Sequence, residues 1–171
     1  MPVRNCCRSG RGREGGARHG APATPTDSAH PLYKEVQILD QLRRQEPSLR
    51  YGRLYFREVS GNGQDFGHSK GLGGVLAFSR ILGDREVLVV ANTKPTGREP
   101  FRGFILVDPD LSRATTSRKV GYSNLRTRGT GTVEVLRQAR FFEEDGRVET
   151  SEAARLFVIL APMEIQVLVP A

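Results

Sequence analysis

The chain has 171 residues, of which 37% are hydrophobic and none is Trp, and its formal charge is +7. That length favours one domain with a buried core, and 19 Gly with 10 Pro favour a turn-rich β protein over a helical bundle. The charge reads as a mixed basic surface, since nucleic-acid recognition needs a patch rather than a total.

Residues 1–29 hold Arg4, Arg8, Arg11, Arg13 and Arg18 against Glu14 and Asp27, with Val3 as the one strong hydrophobe. Such a segment buries too little surface to offset its ordering entropy, so a disordered tail is expected. Cys6 and Cys7 are adjacent and have no other cysteine to pair with. A reducing, cytoplasmic setting is therefore expected. The first residues show no secretory signal, and no run is long enough to span a membrane.

A helix follows over 30–47. Pro31 suits its first position, with Ser28 or His30 as cap. Leu32, Val36, Leu39 and Leu42 recur at helical spacing, widened by Tyr33 and Ile38. Pro47 ends the helix near Gln45. The rest, 48–171, reads as short strands: 51–59, 74–82, 86–92, 101–107, 118–123, 131–137, 155–160 and 163–169. Ser60 to Gly63 and Gly83-Asp84 are turn signals between them. In the last strand Met163, Ile165, Val167 and Val169 share one face. The predicted fold is all-β, an antiparallel Greek-key-like β-sandwich preceded by one amphipathic helix.

The residues Arg43-Arg44-Gln45-Glu46-Pro47-Ser48-Leu49-Arg50-Tyr51-Gly52, with the runs Gly73 to Leu82 and Glu86 to Thr93, resemble the end of an α-amylase-family glycoside hydrolase. There the last helix of the catalytic barrel hands over to an all-β C-terminal domain. The resemblance covers roughly 30–171 and weakens over 94–130. It implies that helix 30–47 is the last helix of a catalytic barrel and that the β domain packs beside that barrel and supports it, sometimes touching carbohydrate.

Glycosidic cleavage needs two opposed carboxyl groups, one protonated and one ionised. The family's nucleophilic Asp follows an Arg two residues earlier at a strand end. Here Asp108 has Leu106 at that position and Pro109 after it, so Asp108 reads as a turn residue. Glu143-Glu144-Asp145-Gly146 reads as a hairpin loop. No catalytic residue of the family carries over.

Other motifs give little. Gly10-Arg11-Gly12-Arg13-Glu14-Gly15 has the letters of a dinucleotide fingerprint without the flanking strand and helix. Cys6, Cys7, His19 and His30 lack the paired spacing of structural zinc, and His68 reads as a surface residue. No metal or cofactor is expected. Tyr33, Tyr51 and Tyr55 are candidate carbohydrate or interdomain contacts. Because strand neighbours face opposite ways, at least one of Tyr55 and Phe56 is expected to pack inward.

The expected function is a non-catalytic accessory domain. The alternatives are a stand-alone carbohydrate-binding module for α-glucan and nucleic-acid binding through the basic tail. An uncovered helix stripe of four to six apolar side chains leaves roughly 6–15 kcal/mol of burial unclaimed. The helix is therefore expected to fold back on the sandwich, to self-associate through the apolar face of 31–45, or to leave the chain poorly soluble.

Overall fold

The computed structural model describes residues 28–67, 73–96, 98–114, 120–126 and 130–171. Its contacts divide the chain into two units, Met1–Gln37 and Ile38–Ala171. The expectations placed on the tail up to Asp27 and on His68, including the fingerprint and the cysteines, lie outside the described residues.

Helix α1 spans Pro31–Gln45. Its first turn is capped by His30, whose Nδ1 accepts the Leu32 amide at 3.1 Å. An Asp40–Arg44 ion pair one turn apart supports the exposed face. Pro47 does more than stop α1, because it also occupies the first turn of a short helix, α2, Pro47–Tyr51. Proline is tolerated there since that amide has no helical acceptor. Residue 51, expected at the start of a strand, instead ends this second helix.

Among the described residues of the second unit, ten strands follow. They are β1 Arg53–Phe56, β2 Val59–Ser60, β3 Asp65–Phe66, β4 Val75–Leu82, β5 Arg85–Asn92 and β6 Phe101–Val107. A turn of helix, α3 Pro109–Ser112, leads to β7 Val120–Asn124, β8 Thr130–Phe142, β9 Val148–Leu160 and β10 Ile165–Pro170. The all-β fold after a helix is as expected. The hydrogen-bonded order is β1-β4-β5-β10-β7-β8-β9-β6-β2, antiparallel throughout, with β3 added parallel to β8.

The two ends of that path are neighbours in sequence. The Arg57 amide donates to Ala77 of β4, whereas the Glu58 carbonyl accepts from Leu106 of β6. One stretch, 53–60, thus crosses from the first strand pair to the last, and the sheet rolls back onto itself. Inside the roll, Leu88 and Val90 of β5 meet Ile105 of β6, Tyr122 of β7, Val133 of β8 and Leu156 of β9 in the main core.

A second cluster lies on the outer face. Leu42 of α1 and Leu49 of α2 pack on Val87 and Val89 of β5 and on Val167 and Val169 of β10. Strand alternation supplies both layers: odd positions of β10 face the helices, and Leu168 faces the main core. The expected stripe of β10 is therefore real for Val167 and Val169, and what it meets is the end of the helix. Met163 departs from it. Met163 sits before β10 in a turn with φ 62° and is exposed, so it shares no strand face.

β8 and β9 run 13 residues each, well beyond the expected 131–137 and 155–160. Their far halves form a ribbon closed by a loop at 143–147, with Gly146 at φ +85°. The Glu143 to Gly146 stretch is the hairpin loop the sequence indicated.

Candidate functional site

The residues that resemble a glycosidase build a joint between helix and sheet. Where α1 gives way to α2, Glu46 is buried and forms a two-point ion pair with Arg85 at the start of β5: Nε to Oε2 2.9 Å, Nη2 to Oε1 2.6 Å. That fork geometry fixes orientation as well as distance. The hydrogen bond to Glu46, more than the charge attraction, raises the Arg85 guanidinium pKa further. Ser48 is buried, and its hydroxyl donates to the Arg85 carbonyl at 3.4 Å. Gly52 closes the joint. A Cβ there would lie 2.5 Å from the Ser48 carbonyl oxygen and 2.9 Å from the Ile81 backbone, so no larger residue fits unmoved.

Four carboxylates of the β domain are committed to structural partners. Asp108 caps α3, its Oδ1 accepting the amides of Asp110 and Leu111 at 3.1 and 3.0 Å. It is the turn residue expected from the sequence. Glu134 holds Arg155 at 2.7 Å, and Asp65 holds Arg140 at 2.6 Å. Glu86 is fully buried, and its Oε1 accepts from Arg57 Nη2 at 2.6 Å and from Ser79 Oγ at 2.5 Å. The Tyr122 hydroxyl faces Oε2 at 3.5 Å. Burial first, and the Glu86 charge second, push the Tyr122 phenol well above its ordinary range. This charged network inside the roll was not legible in the sequence, because its members are scattered along the chain from Arg57 to Tyr122.

One cavity gathers acids: Glu58, Glu143, Glu144 and Asp145 line it with Phe141 and Phe142, and it encloses about 410 Å³. A general acid at neutral pH needs a raised carboxyl pKa. Asp145 goes the other way, since the Arg147 amide and then its guanidinium hold the carboxyl below the usual range. Among the described residues no group of three or more His, Cys, Asp or Glu is placed to hold a metal ion. No described helix is long and apolar enough to cross a membrane.

The three tyrosines singled out by sequence are placed as follows. Tyr33 lies in the first unit and is half-buried. Tyr51 ends α2, 66% exposed, with the Arg50 guanidinium 4.9 Å from its ring centroid. Tyr55 lies in β1, 43% exposed, and its neighbour Phe56 is 72% exposed. The expectation that one of that pair packs inward is therefore wrong. The main core takes Ala77 and Val75 of β4 and stops there, so neither face of β1 is covered. An edge position does not show in the alternation of a single strand.

Among solved structures, the chain is similar to a crystal structure of an AmyP variant in complex with maltotriose, an α-amylase-family glycosidase. The TM-score is 0.49 and the sequence identity 15%, with 82% of this chain and 21% of that one covered. The chain thus spans about a fifth of that protein's length. No family model and no curated protein matches it.

Proposed function

We propose that this chain is the accessory β domain of an α-amylase-family glycosidase and has no hydrolytic chemistry of its own: a tail at 1–29, a helix at 30–47 corresponding to the last helix of a catalytic barrel, and a β domain at 48–171. The observation that carries this reading is the use made of the family-like residues. Glu46, Ser48, Leu49 and Gly52 all serve the joint, as residues coupling a barrel's last helix to a β domain would. Glu134, Asp65 and Glu86 are instead tied to arginines, and Asp108 to helix amides. Leu32, Val36, Ile38 and Leu39 of α1 are exposed, and a catalytic barrel is their natural cover.

The test is incubation of the purified chain with amylose and maltotriose. No release of reducing ends is expected. Turnover that disappears when one Asp or Glu is replaced would overturn the reading. Upstream DNA encoding a barrel, in any frame, would support it.

A second reading, an α-glucan-binding module, draws on the exposure of Tyr51 and Tyr55. Saturable retention on amylose, lost in Tyr51→Ala and Tyr55→Ala, would select it.

A further inference from the structure

Asn62 is the only asparagine in the chain that a glycine follows; Asn5, Asn92 and Asn124 precede Cys6, Thr93 and Leu125. An Asn-Gly pair has a chemistry of its own. When a base takes the proton from the Gly63 amide, its nitrogen attacks Cγ of the Asn62 side chain. The new N–Cγ bond closes a five-membered imide, the Cγ–Nδ2 bond breaks, and the leaving nitrogen departs as ammonia. Water then opens the imide at either carbonyl and leaves Asp or isoaspartate at position 62. Glycine has no side chain to obstruct the closure, so alignment of nitrogen and carbon decides the rate.

The fold withholds that alignment. Gly63 is buried, and its amide donates to Ser60 Oγ at 2.9 Å, out of reach of a base in solvent. Its carbonyl accepts from the Arg155 guanidinium, which Glu134 holds at 2.7 Å and which lies 4.5 Å from the Phe104 ring centroid. Its α-carbon, at φ +71°, has no space to turn: a Cβ there would lie 2.6 Å from Arg155 Nη1 and 2.7 Å from Phe104 Cδ2. The Asn62 carboxamide is fixed as well. Oδ1 accepts from the Ser60 hydroxyl at 3.0 Å and from the amides of Gln64 and Asp65 at 2.9 and 3.0 Å, and Nδ2 donates to Asp65 Oδ2 at 3.0 Å.

The same loop ties β3 to β8. The Gln64 carbonyl accepts the Arg140 amide at 2.8 Å, and Asp65 Oδ1 accepts from Arg140 Nε at 2.7 Å. Either product at position 62 loses the Nδ2 donor and sets a second carboxylate beside Asp65. Isoaspartate also inserts a methylene into the main chain just before Gly63, which the slot between Arg155 and Phe104 has no room to absorb.

We propose that Asn62-Gly63 is a latent deamidation site, with water as its only co-reactant. The clamp of Ser60 and Arg155 holds it unreacted while the β2–β3 loop is closed. Each local opening exposes it to attack, and conversion to isoaspartate releases β3 from β8 irreversibly.

The test is peptide mass spectrometry of the full chain incubated at neutral pH in water enriched in heavy oxygen, folded and in urea. Residue 62 should take up label at least tenfold faster in urea than in the folded chain, with Asn92 and Asn124 slow in both. Folded Ser60→Ala should label residue 62 at least tenfold faster than the folded parent, and at the parent's rate in urea. Arg155→Met opens the clamp from the carbonyl side and should accelerate labelling too, even if Ser60→Ala fails to fold. In both variants the β5 amides should stay protected from deuterium exchange. In a chain converted to isoaspartate in urea and then refolded, the Arg140 amide should lose its protection. Equal labelling of the folded and unfolded parent, variants as slow as the parent, or an isoaspartate chain with its Arg140 amide still protected would overturn the proposal. Acceleration with matching loss of protection in β5 would assign the reaction to global unfolding and overturn it as well.

Discussion

Replacing Glu86 by Ala should be among the most damaging single changes in the β domain. The carboxylate is fully buried, and its partner Arg57 keeps only 13% of its side chain in contact with solvent. Truncating Glu86 leaves that guanidinium charged, largely desolvated and without its 2.6 Å partner. Breaking a buried pair from one side costs about 3–5 kcal/mol, a large part of a domain's net stability of about 5–15 kcal/mol. At about 2–4 °C per kcal/mol for a chain of this size, the midpoint of thermal unfolding should fall by roughly 6–20 °C. Arg57→Ala should cost a similar amount, by stranding the carboxylate. The double replacement Arg57→Met with Glu86→Leu removes both charges and should recover most of the loss. Urea titration of the parent, Arg57→Met, Glu86→Leu and the double variant gives the cycle directly. If Glu86→Ala costs less than about 1 kcal/mol, or if the double variant loses the sum of the two singles, then the pair does not act as a buried couple and the reasoning fails.

Three further outcomes follow from the same structure. Gly52→Ala drives a Cβ into the Ser48 carbonyl and the Ile81 backbone and should cost about 1–3 kcal/mol in a urea titration. A neutral result would mean that the joint between α2 and β1 is loose. Asp108→Ala removes the cap of α3 and should cost about 1 kcal/mol, with Asp108→Asn restoring most of it; equal losses in both variants would point to the charge and not the cap. Folding raises the Tyr122 phenol pKa above its ordinary 10.0, so the unfolded chain loses that proton first as pH rises. Stability should be unaffected by this group below about pH 10 and should decline above it. Tyr122→Phe should flatten that decline in pH-dependent melting, and an unchanged slope would refute the assignment.

Strands that cross the core were legible in the sequence. β4, β5 and β6 are found within a residue of their expected limits: β5 and β6 carry enough buried apolar side chains to show their period, and Gly83 at φ +60° supplies the turn that fixes β4 against β5. The outer halves of β8 and β9 were not legible, since Val148 to Glu152 are exposed and hold their conformation by pairing across the ribbon. In the outer half of β8, Ala139 is the one fully buried side chain, set in a small cluster with Phe66 and Ala153, too little to show a period. α2 was hidden because Pro47 can end one helix and begin another, and the sequence does not say which of these it does. The joint was found as a family likeness, but its physical content, the Glu46–Arg85 fork, spans 39 residues and could be seen only once folded. The edge position of β1 depends on where β6 turns away, a fact about another strand altogether.

That the hydrogen-bonded path begins and ends on one stretch of chain affects how this domain loosens. An open sheet frays from its outermost strands, whose amides exchange with solvent long before the centre does. Here, peeling β2 from β6 also strains the attachment of β1 to β4, for Arg57 and Glu58 are consecutive residues. Deuterium should therefore enter first at the ribbon tip around residues 143–147, and the amides of Arg57 and Leu106 should be labelled together and late, as members of one cooperative unit.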